Sequence, residues 1–363
     1  MHVIDAANVG EALPAGVAYL SGAGAVQDSR AGPVIVAPGP VTTLYRNPRE
    51  RVLFSPVRDA NPFFHLLEAF WMLGGRDDSQ FLDHYVKDFG ARFAETGGRI
   101  HGAYGRRWRA WFTDPVGDDD VDQLKEVVLE LTRSPNSRQA VVQMWDAGTD
   151  LGQPALKDRP CDTQVYFRLR RGELDMTVTC RSNDIIMGAY GANAVHFSFL
   201  QEYIAGMLRV PVGHYWQVSN GYHAYTADLD RLTRRAQLPR ITYGTPRQGI
   251  QGAALAWALR GDTLHPRVGQ NMVMNPETFD SVLSAVLGDI DKIHDQGPGA
   301  ASTSFLSSNP YLWTTVHSAA YVHAVYKTDG VAAAIEAMDE ETQISDPAWH
   351  KACRKWLQRK VKK

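Results

Sequence analysis

The spacing of apolar residues after position 61 predicts a buried helix. Pro62 suits the first turn of a helix, and the apolar residues after it recur every three or four positions, as on one helix face: Phe63, Leu66, Leu67, Phe70, Trp71 and Leu73. Gly74 and Gly75 end this pattern. A second helix is predicted from about Val121 to Leu131, because the acidic run 118–120 before it suits a helix N-terminus.

Runs rich in β-branched and aromatic residues predict strands in the middle of the chain. They lie at residues 140–145, 163–169 and 174–179, and a turn at Arg171–Gly172 joins the last two. An apolar helix is predicted from Asn193 to Leu208, followed by an extended segment over 212–218. The first forty residues are rich in Gly, Ala, Val and Pro, which favours short extended segments joined by turns. The predicted fold class is α+β, with helices packed on a mixed β-sheet.

The composition of the sequence changes beyond residue 252. Ala-rich helical segments follow, with a Gly/Ser-rich break at residues 296–304 and a basic run from Arg359 to Lys363. We therefore predict one domain over residues 1–252 and a helical C-terminal extension over 253–363.

The composition excludes several classes of protein. The chain has 363 residues, of which 44% are hydrophobic and 21% charged, and a net charge of −2 from 38 basic and 40 acidic residues. It is too apolar for a disordered chain, and its balanced charge gives no general attraction to nucleic acid or to a membrane surface. Three cysteines without a CxxC pair make a disulfide framework or a structural zinc site improbable. We expect a cytoplasmic protein with reduced thiols, no metal, and no membrane or nucleic-acid partner.

A candidate nucleophile lies just before a predicted strand, at Cys161 in the segment Arg159–Pro160–Cys161. Cationic neighbours favour the thiolate form of a cysteine, which is the nucleophilic form. The alternative is that Cys161 is a small buried apolar side chain, as lone cysteines often are. The segment alone does not decide between these interpretations.

Several further motifs occur in a fixed order from about Arg30 to Asp230. They are Glu68 with Trp71 and Gly75, Tyr104–Gly105 with Trp108–Arg109–Ala110–Trp111, Pro135–Asn136–Ser137–Arg138 leading to Trp145, Pro160–Cys161, Arg181–Ser182 with Asp184 and Gly188, and His223 with Tyr225. This ordered set resembles thymidylate synthase and its pyrimidine nucleotide hydroxymethylase relatives. Each motif is weak by itself, but the set is specific. The resemblance implies a thymidylate synthase-like fold and a catalytic domain over residues 1–252.

The resemblance also implies how a pyrimidine nucleoside monophosphate is held. The phosphate would be bound by Arg181, Ser182, Arg138 and Arg30, which supply guanidinium forks and a hydroxyl group. In the family, the arginine at the position of Arg138 reaches across a subunit interface, which implies a homodimer with shared active sites. His223 and Tyr225 would bind the sugar 3′-hydroxyl from one face of a strand. The alternatives are a surface salt bridge for each arginine, Arg46 or Arg49 in place of Arg30, and an ordinary core pair for the two rings.

The same resemblance assigns the chemistry. Addition of Cys161 to C6 of the base makes C5 nucleophilic, Glu68 is the general acid, and Tyr104 assists removal of the C5 proton. The one-carbon donor is 5,10-methylenetetrahydrofolate. Asp184 would lie between base and folate, and Gly188 would also contact the folate. Glu68 falls within an apolar helix, where a carboxylate is costly, although a position on the solvent edge is the alternative. A core tyrosine and a turn-capping aspartate are the alternatives for Tyr104 and Asp184.

Four departures from thymidylate synthase bear on the base and the product. The position of the family asparagine that reads uracil is occupied by Ala192, and Asn193 follows one position later. A one-residue shift at Gly191 would allow Asn193 to read the base; the alternative is that Asn193 caps a helix. Asp162 and Gln139 replace a histidine and an arginine of the family. The tryptophan-rich folate wall is replaced by Phe89 and Phe93. The family's short hydrophobic C-terminus has no counterpart.

The last two departures favour entry of water in place of hydride transfer, whereas the first bears on which base is bound. The sequence therefore predicts folate-dependent C5 hydroxymethylation of a nucleotide, with dCMP preferred over dUMP, as in phage pathways of nucleotide modification. A phage-encoded protein of this kind would act in the host cytoplasm. The alternatives are thymidylate synthase, which methylates dUMP, and an inactive nucleotide- or RNA-binding homologue that uses the basic run 359–363.

Overall fold

The computed structural model describes residues 1–114, 119–261, 271–301, 309–340 and 344–361. The chain forms two compact units. The first unit contains residues 1–60, 161–198 and 212–265; the second contains residues 61–160, 199–211 and 266–363. Asp118, residues 302–304 of the predicted Gly/Ser-rich break, and Lys362 and Lys363 of the basic run lie outside the described residues.

Runs of strands and runs of helices follow one another along the described chain. The strands are β1 (His2–Ala6), β2 (Ala25–Gln27), β3 (Val34–Val36), β4 (Val41–Tyr45), β5 (Val141–Gln143), β6 (Asp162–Arg170), β7 (Glu173–Cys180), β8 (Asn183–Asp184), β9 (Val212–Ser219) and β10 (Tyr222–Tyr225). The α-helices are α1 (Val9–Ala23), α2 (Pro62–Leu73), α3 (Ser79–Asp83), α4 (Phe89–Phe93), α5 (Tyr104–Arg109), α6 (Gln123–Arg133), α7 (Ala147–Asp150), α8 (Asn193–Met207), α9 (Thr226–Arg235), α10 (Arg247–Leu259), α11 (Phe279–Gln296), α12 (Ser318–Thr328), α13 (Gly330–Glu340) and α14 (Pro347–Val361). Two π-helices, Ile185–Ala192 and Leu312–His317, and the short 3₁₀-helix Pro298–Ala300 complete the set.

Two sheets form the framework of the first unit. In the larger one, the strands of this unit follow the order β1, β4, β9, β7, β6, with parallel pairing of β1 with β4 and of β7 with β9. The predicted hairpin of β6 and β7 is confirmed, and both of its turn residues have a positive φ, 56° at Arg171 and 78° at Gly172, as tight hairpin turns require. The smaller sheet has the order β2, β3, β10, β8. The α+β fold class is confirmed.

The expectation for the first forty residues was wrong in one part. Residues 9–23 form helix α1, not extended segments, and the side chain of Asn8 caps it by accepting a hydrogen bond from Glu11 N at 3.1 Å. The buried positions of this helix recur every three or four residues: Val9, Ala12, Leu13, Gly16, Val17 and Leu20. The glycine and proline content concealed this helical spacing.

The other predicted elements are observed with small changes at their ends. Helix α2 has the predicted bounds, α6 begins two residues later than expected, and β5, β6, β7 and β9 coincide with the predicted strands. The helix predicted from Asn193 is α8, but a π-helix that the sequence did not predict comes directly before it. None of the helices in the described ranges is both long and apolar enough to cross a bilayer.

Helix α2 lies at the centre of the second unit. Its Phe70 packs against Phe199 of α8 with ring centroids 5.0 Å apart, and its Phe63 packs edge-on against Trp356 of α14 at 5.6 Å. The described residues from 271 onward are largely helical, as predicted, and helices α11, α12 and α14 among them pack on α2 within this unit. The predicted boundary at residue 252 falls inside α10. The division into a catalytic domain over residues 1–252 and an extension over residues 253–363 therefore stays a proposal.

Candidate active site

Cys161 lies immediately before β6 and is half-buried. Pairing of β6 with β7 brings Arg181, which directly follows β7, back to Cys161: the Arg181 amide donates to the Cys161 carbonyl at 2.9 Å. The Arg181 guanidinium Nη2 is 3.7 Å from the Cys161 Sγ atom. A cation at this distance favours the thiolate form. The arrangement can therefore present a nucleophilic sulfur.

The other two cysteines have different surroundings. Cys180 is 3% exposed, its thiol donates to Asp162 Oδ1 at 2.6 Å, and burial raises its pKa well above the usual range. Burial also raises the pKa of the Cys353 thiol. Both groups are therefore held in the thiol form, and Cys161 is the cysteine with the properties of a nucleophile.

His223 and Tyr225 lie on one face of β10, as their spacing predicted. Their ring centroids are 5.5 Å apart. The His223 Nδ1 atom lies 3.0 Å from the Gly221 carbonyl, which can only accept, so Nδ1 carries the proton and Nε2 is left as an acceptor in the neutral ring. Burial and the charge of Asp184 raise the pKa of the Tyr225 hydroxyl, whereas the charge of Arg30 acts in the opposite direction.

Asp184 pairs with His223 across β8 and β10 and also begins the π-helix. Its Oδ1 atom accepts from the amide of Ile186 at 2.8 Å, and burial raises the pKa of its carboxyl group. The capping role considered for Asp184 is thus present. Ser182, between Arg181 and β8, is half-buried.

The π-helix shifts the register just before Asn193. The Asn193 amide bonds to the carbonyl of Gly188, five residues earlier, and Tyr190 and Gly191 depart from helical dihedral angles. A π-turn contains one residue more than an α-turn. The extra residue in the π-helix equals the one-residue offset between Ala192, on which the family's asparagine falls, and Asn193. The Asn193 side chain donates to Asn183 Oδ1 at 3.3 Å and makes no cap to its own helix among the described contacts.

Hydrogen bonds from several elements hold the π-helix in place. Tyr45 donates to the Ala189 carbonyl at 2.9 Å, and the Tyr190 hydroxyl lies 3.0 Å from Thr43 and 2.7 Å from Tyr222. At Gly188 a Cβ atom would lie 2.9 Å from Asn183 Oδ1 and 3.3 Å from Asn193 Nδ2, so only glycine fits without displacing these amides. Gly188 thus has a packing role in the structure. Its contact with folate stays a prediction.

In the second unit, Glu68 lies in the middle of one face of α2. Phe64, Glu68 and Met72 follow each other at intervals of four residues and therefore share this face. Glu68 is 7% exposed, in agreement with the burial expected from its apolar neighbours. The rings of Phe89 and Phe64 have centroids 5.7 Å apart, and Phe93 lies 4.8 Å beyond Phe89. The two predicted phenylalanines therefore form one aromatic cluster at the N-terminal end of the face.

Helix α5 packs at the other end of the same face. A Cβ atom on Gly105 would lie 2.2 Å from the Met72 carbonyl oxygen, so glycine allows the two backbones to approach closely. Tyr104, the first residue of α5, is thereby held next to α2 and is half-buried. Glu68 thus lies along α2 between the aromatic cluster and the helix that carries Tyr104.

The comparisons with known proteins agree with these features. The sequence model of the thymidylate synthase family matches residues 61–257. A deoxyuridylate hydroxymethyltransferase of Pseudomonas phage M6 is 43% identical over 302 residues, which are 82% of this chain and 80% of the relative.

This chain belongs to the thymidylate synthase family.

Two further relatives match about half of this thymidylate synthase family member. A deoxyuridylate hydroxymethyltransferase of Bacillus phage SP01 is 38% identical over 192 residues, 52% of this chain and 50% of the relative. A thymidylate synthase of Symbiobacterium thermophilum is 33% identical over 196 residues, 51% of this chain and 66% of the relative. The chain is thus an enzyme that transfers one-carbon units to C5 of a pyrimidine. The alternative of an inactive binding homologue is set aside.

Arg138 of this family member is exposed in the loop between α6 and β5. Two hydrogen bonds hold the side chain of its neighbour Ser137 in place, because the hydroxyl group donates to Glu130 and accepts from the Gln139 amide. Across the described part of the chain, no residue forms an ion pair or hydrogen bond with the Arg138 guanidinium. The predicted site residues are therefore distributed over both units: Glu68, Phe89, Phe93, Tyr104 and Arg138 are in the second, and the remainder are in the first.

Sequence reasoning missed two polar residues that contact predicted site elements. Arg58 Nε donates to the Ile186 carbonyl at 2.9 Å in the π-helix, and burial lowers the pKa of this guanidinium to about 10 although Asp184 opposes the shift. Asn183, 1% exposed, contacts the side chain of Asn193. Its position inside the Arg181–Asp184 motif was the one available signal.

Proposed function

We propose that this enzyme hydroxymethylates C5 of a pyrimidine deoxynucleoside monophosphate through a covalent bond between Cys161 and C6. The observation that carries the proposal is the position of the half-buried Cys161 thiol, 3.7 Å from the Arg181 guanidinium. The other two thiols are buried and have raised pKa values. Attack by a thiolate on C6 transfers electron density to C5, which makes C5 nucleophilic.

The nucleotide would be held by hydrogen bonds and ion pairs at its phosphate and by hydrogen bonds at its sugar. We assign the phosphate to Arg181, Ser182 and Arg30, with Arg138 as a further guanidinium. His223 Nε2 and the Tyr225 hydroxyl are assigned to the sugar 3′-hydroxyl. Their common strand face and the fixed His223 tautomer support this assignment.

The general acid in this proposal is Glu68, which protonates the base as the thiolate adds. Its burial on an otherwise apolar helix face supports this role, because a carboxyl group shielded from solvent can pass its proton to a bound base and not to bulk water. Tyr104, held next to the same helix, assists removal of the C5 proton. The functional roles of both residues follow the family pattern.

The one-carbon unit would come from methylenetetrahydrofolate, which supplies carbon at the oxidation level of formaldehyde. The half-buried aromatic cluster of Phe89 and Phe93 is suitable for packing against a planar ring, so the residues present fit this co-substrate. Nucleotide, methylene unit and water give the hydroxymethyl nucleotide and tetrahydrofolate. Methylation would instead require hydride and leave dihydrofolate. The names of the two phage relatives favour hydroxymethylation.

Two bases are candidates. Deoxyuridylate is the substrate in the names of both phage relatives, and the amide of Asn193 offers one donor and one acceptor, as the uracil-reading asparagine of the family does. We therefore propose dUMP as the first substrate. The sequence prediction of dCMP preference, which rests on Ala192 in place of that asparagine, is the second candidate.

A competition assay decides between the two bases. With dUMP and dCMP at equal concentration and methylenetetrahydrofolate in excess, we expect a gain of CH₂O on the uracil nucleotide, detected by mass spectrometry. A gain of CH₂O mainly on dCMP would restore the sequence prediction. Formation of thymidylate together with dihydrofolate would overturn the hydroxymethylation proposal in favour of thymidylate synthase.

We also propose that the enzyme is a homodimer in which Arg138 serves the phosphate of the neighbouring subunit. Its exposed guanidinium, without a partner in the described residues, supports this arrangement. A mixture of Cys161→Ala and Arg138→Ala subunits should recover activity, because one site of each hybrid carries both residues. Statistical exchange of equal amounts predicts about a quarter of wild-type activity. No recovery despite verified exchange would contradict the shared site. A cytoplasmic location is part of the same proposal.

A further inference from the structure

Four polar side chains form a connected row through the interior of the first unit. Cys180 Sγ lies 2.6 Å from Asp162 Oδ1, Asn183 Nδ2 lies 3.5 Å from Cys180 Sγ, and Asn193 Nδ2 lies 3.3 Å from Asn183 Oδ1. Their exposed fractions are 0%, 3%, 1% and 8% in the order Asp162, Cys180, Asn183, Asn193. The row begins at the residue after the nucleophile Cys161 and ends at the proposed base reader.

The chemistry of each group fixes the direction of the hydrogen bonds. A carboxylate only accepts, so the Cys180 thiol donates to Asp162, and its sulfur lone pairs face Asn183. Asn183 therefore turns Nδ2 toward Cys180, where it also donates to Ser219 Oγ at 2.9 Å. Its Oδ1 atom then faces Asn193 and accepts from Asn193 Nδ2. The raised pKa of Cys180 agrees with a thiol that keeps its proton.

The consequence is a fixed orientation for the amide of Asn193. One hydrogen of Nδ2 is engaged by Asn183, whereas no described residue donates to Asn193 Oδ1. A flip of this amide would exchange its donor and its acceptor. Uracil and cytosine present opposite groups at positions 3 and 4 of the ring, so the two orientations of the amide favour different bases.

We propose that Asn183, oriented by Cys180 and Asp162, is a positioning residue that sets the base preference by fixing the amide of Asn193. The proposal rests on the proposed function, in which Asn193 reads the base. The ligand concerned is the edge of the pyrimidine ring. Ser219 belongs to the same cluster: its Oγ atom accepts from Asn183 Nδ2 at 2.9 Å, and its hydroxyl group hydrogen-bonds with Cys180.

The test measures the ratio of kcat/KM for dUMP to that for dCMP in a series of variants. Cys180→Ala removes the group that orients Asn183, and we expect the ratio to move toward one by at least about threefold. Cys180→Ser keeps a donor to Asp162 and an acceptor for Asn183, so the wild-type ratio should return. Asn183→Leu should have a larger effect, at least about fivefold, because it removes the acceptor for Asn193. Cys353→Ala, which removes a fully buried thiol outside the row, is the matched control, with an unchanged ratio.

The variants separate failure of this inference from failure of the proposed function. Asn193→Asp should change the ratio at least about tenfold in favour of dCMP, because a carboxylate accepts from the cytosine amino group and repels the uracil carbonyl. If this variant changes the ratio but Cys180→Ala does not, the orienting role of the row is refuted. If Asn193→Asp leaves the ratio unchanged in a folded protein, the base-reading role itself is wrong. Should Asn183→Leu fail to fold, the Cys180 pair decides.

Discussion

Replacement of Cys161 by alanine should lower turnover by at least about a thousandfold, because no other group in the proposed mechanism can form the bond to C6. Release of tritium from C5-labelled dUMP measures the step that depends on this bond. Affinity for dUMP, measured by equilibrium binding, should change by less than about threefold, because the guanidinium of Arg181 remains. The effect is therefore expected in kcat.

Cys353→Ala is the matched control for this prediction. Cys353 is fully buried in α14 and its pKa is raised, so its thiol takes no part in the proposed chemistry. The control should keep nearly full tritium release. Substantial release by Cys161→Ala would refute the covalent mechanism, whatever the final product.

Replacement of Glu68 by glutamine should lower kcat by about a hundredfold to ten-thousandfold, the range expected for loss of a general acid. Glutamine keeps the shape of the side chain, so the packing of Phe64, Met72 and α5 around it should persist. The readout is the initial rate of nucleotide conversion at saturating substrate.

Glu126→Gln provides the comparison, because Glu126 is an exposed residue of α6. It should alter kcat by less than about twofold and leave thermal stability unchanged. An unchanged kcat in a folded Glu68→Gln variant would instead assign Glu68 to packing on α2. Such a result would leave the role of Cys161 intact.

Helices and strands that depend mainly on their own residues were predictable from local sequence patterns. The periodicity of α2 and the turn residues Arg171 and Gly172 predicted a helix and a hairpin that the structure contains. Helix α1 did not follow from composition, because its glycine and proline residues conceal the helical spacing of its apolar positions. The order of the motifs identified the family, since it combines several weak signals into a specific one.

Contacts between distant parts of the chain were not available from the sequence. The row from Asp162 to Asn193 depends on the pairing of β6 with β7 and on the π-helix that precedes α8. The displacement of an asparagine by one position was visible in the sequence, but the π-helix by which the backbone accommodates it was not. Burial of Glu68 was predictable from its neighbours, whereas the close approach at Gly105 required the packing of two helices.

The most direct measurement of the central claim is product analysis of the dUMP reaction in ¹⁸O-labelled water. We expect a nucleotide that has gained CH₂O, with the heavy oxygen in the new hydroxymethyl group, and tetrahydrofolate as the second product. The Cys161→Ala variant should form neither. Unlabelled thymidylate accompanied by dihydrofolate would contradict the account and identify hydride, not water, as the group that completes the reaction.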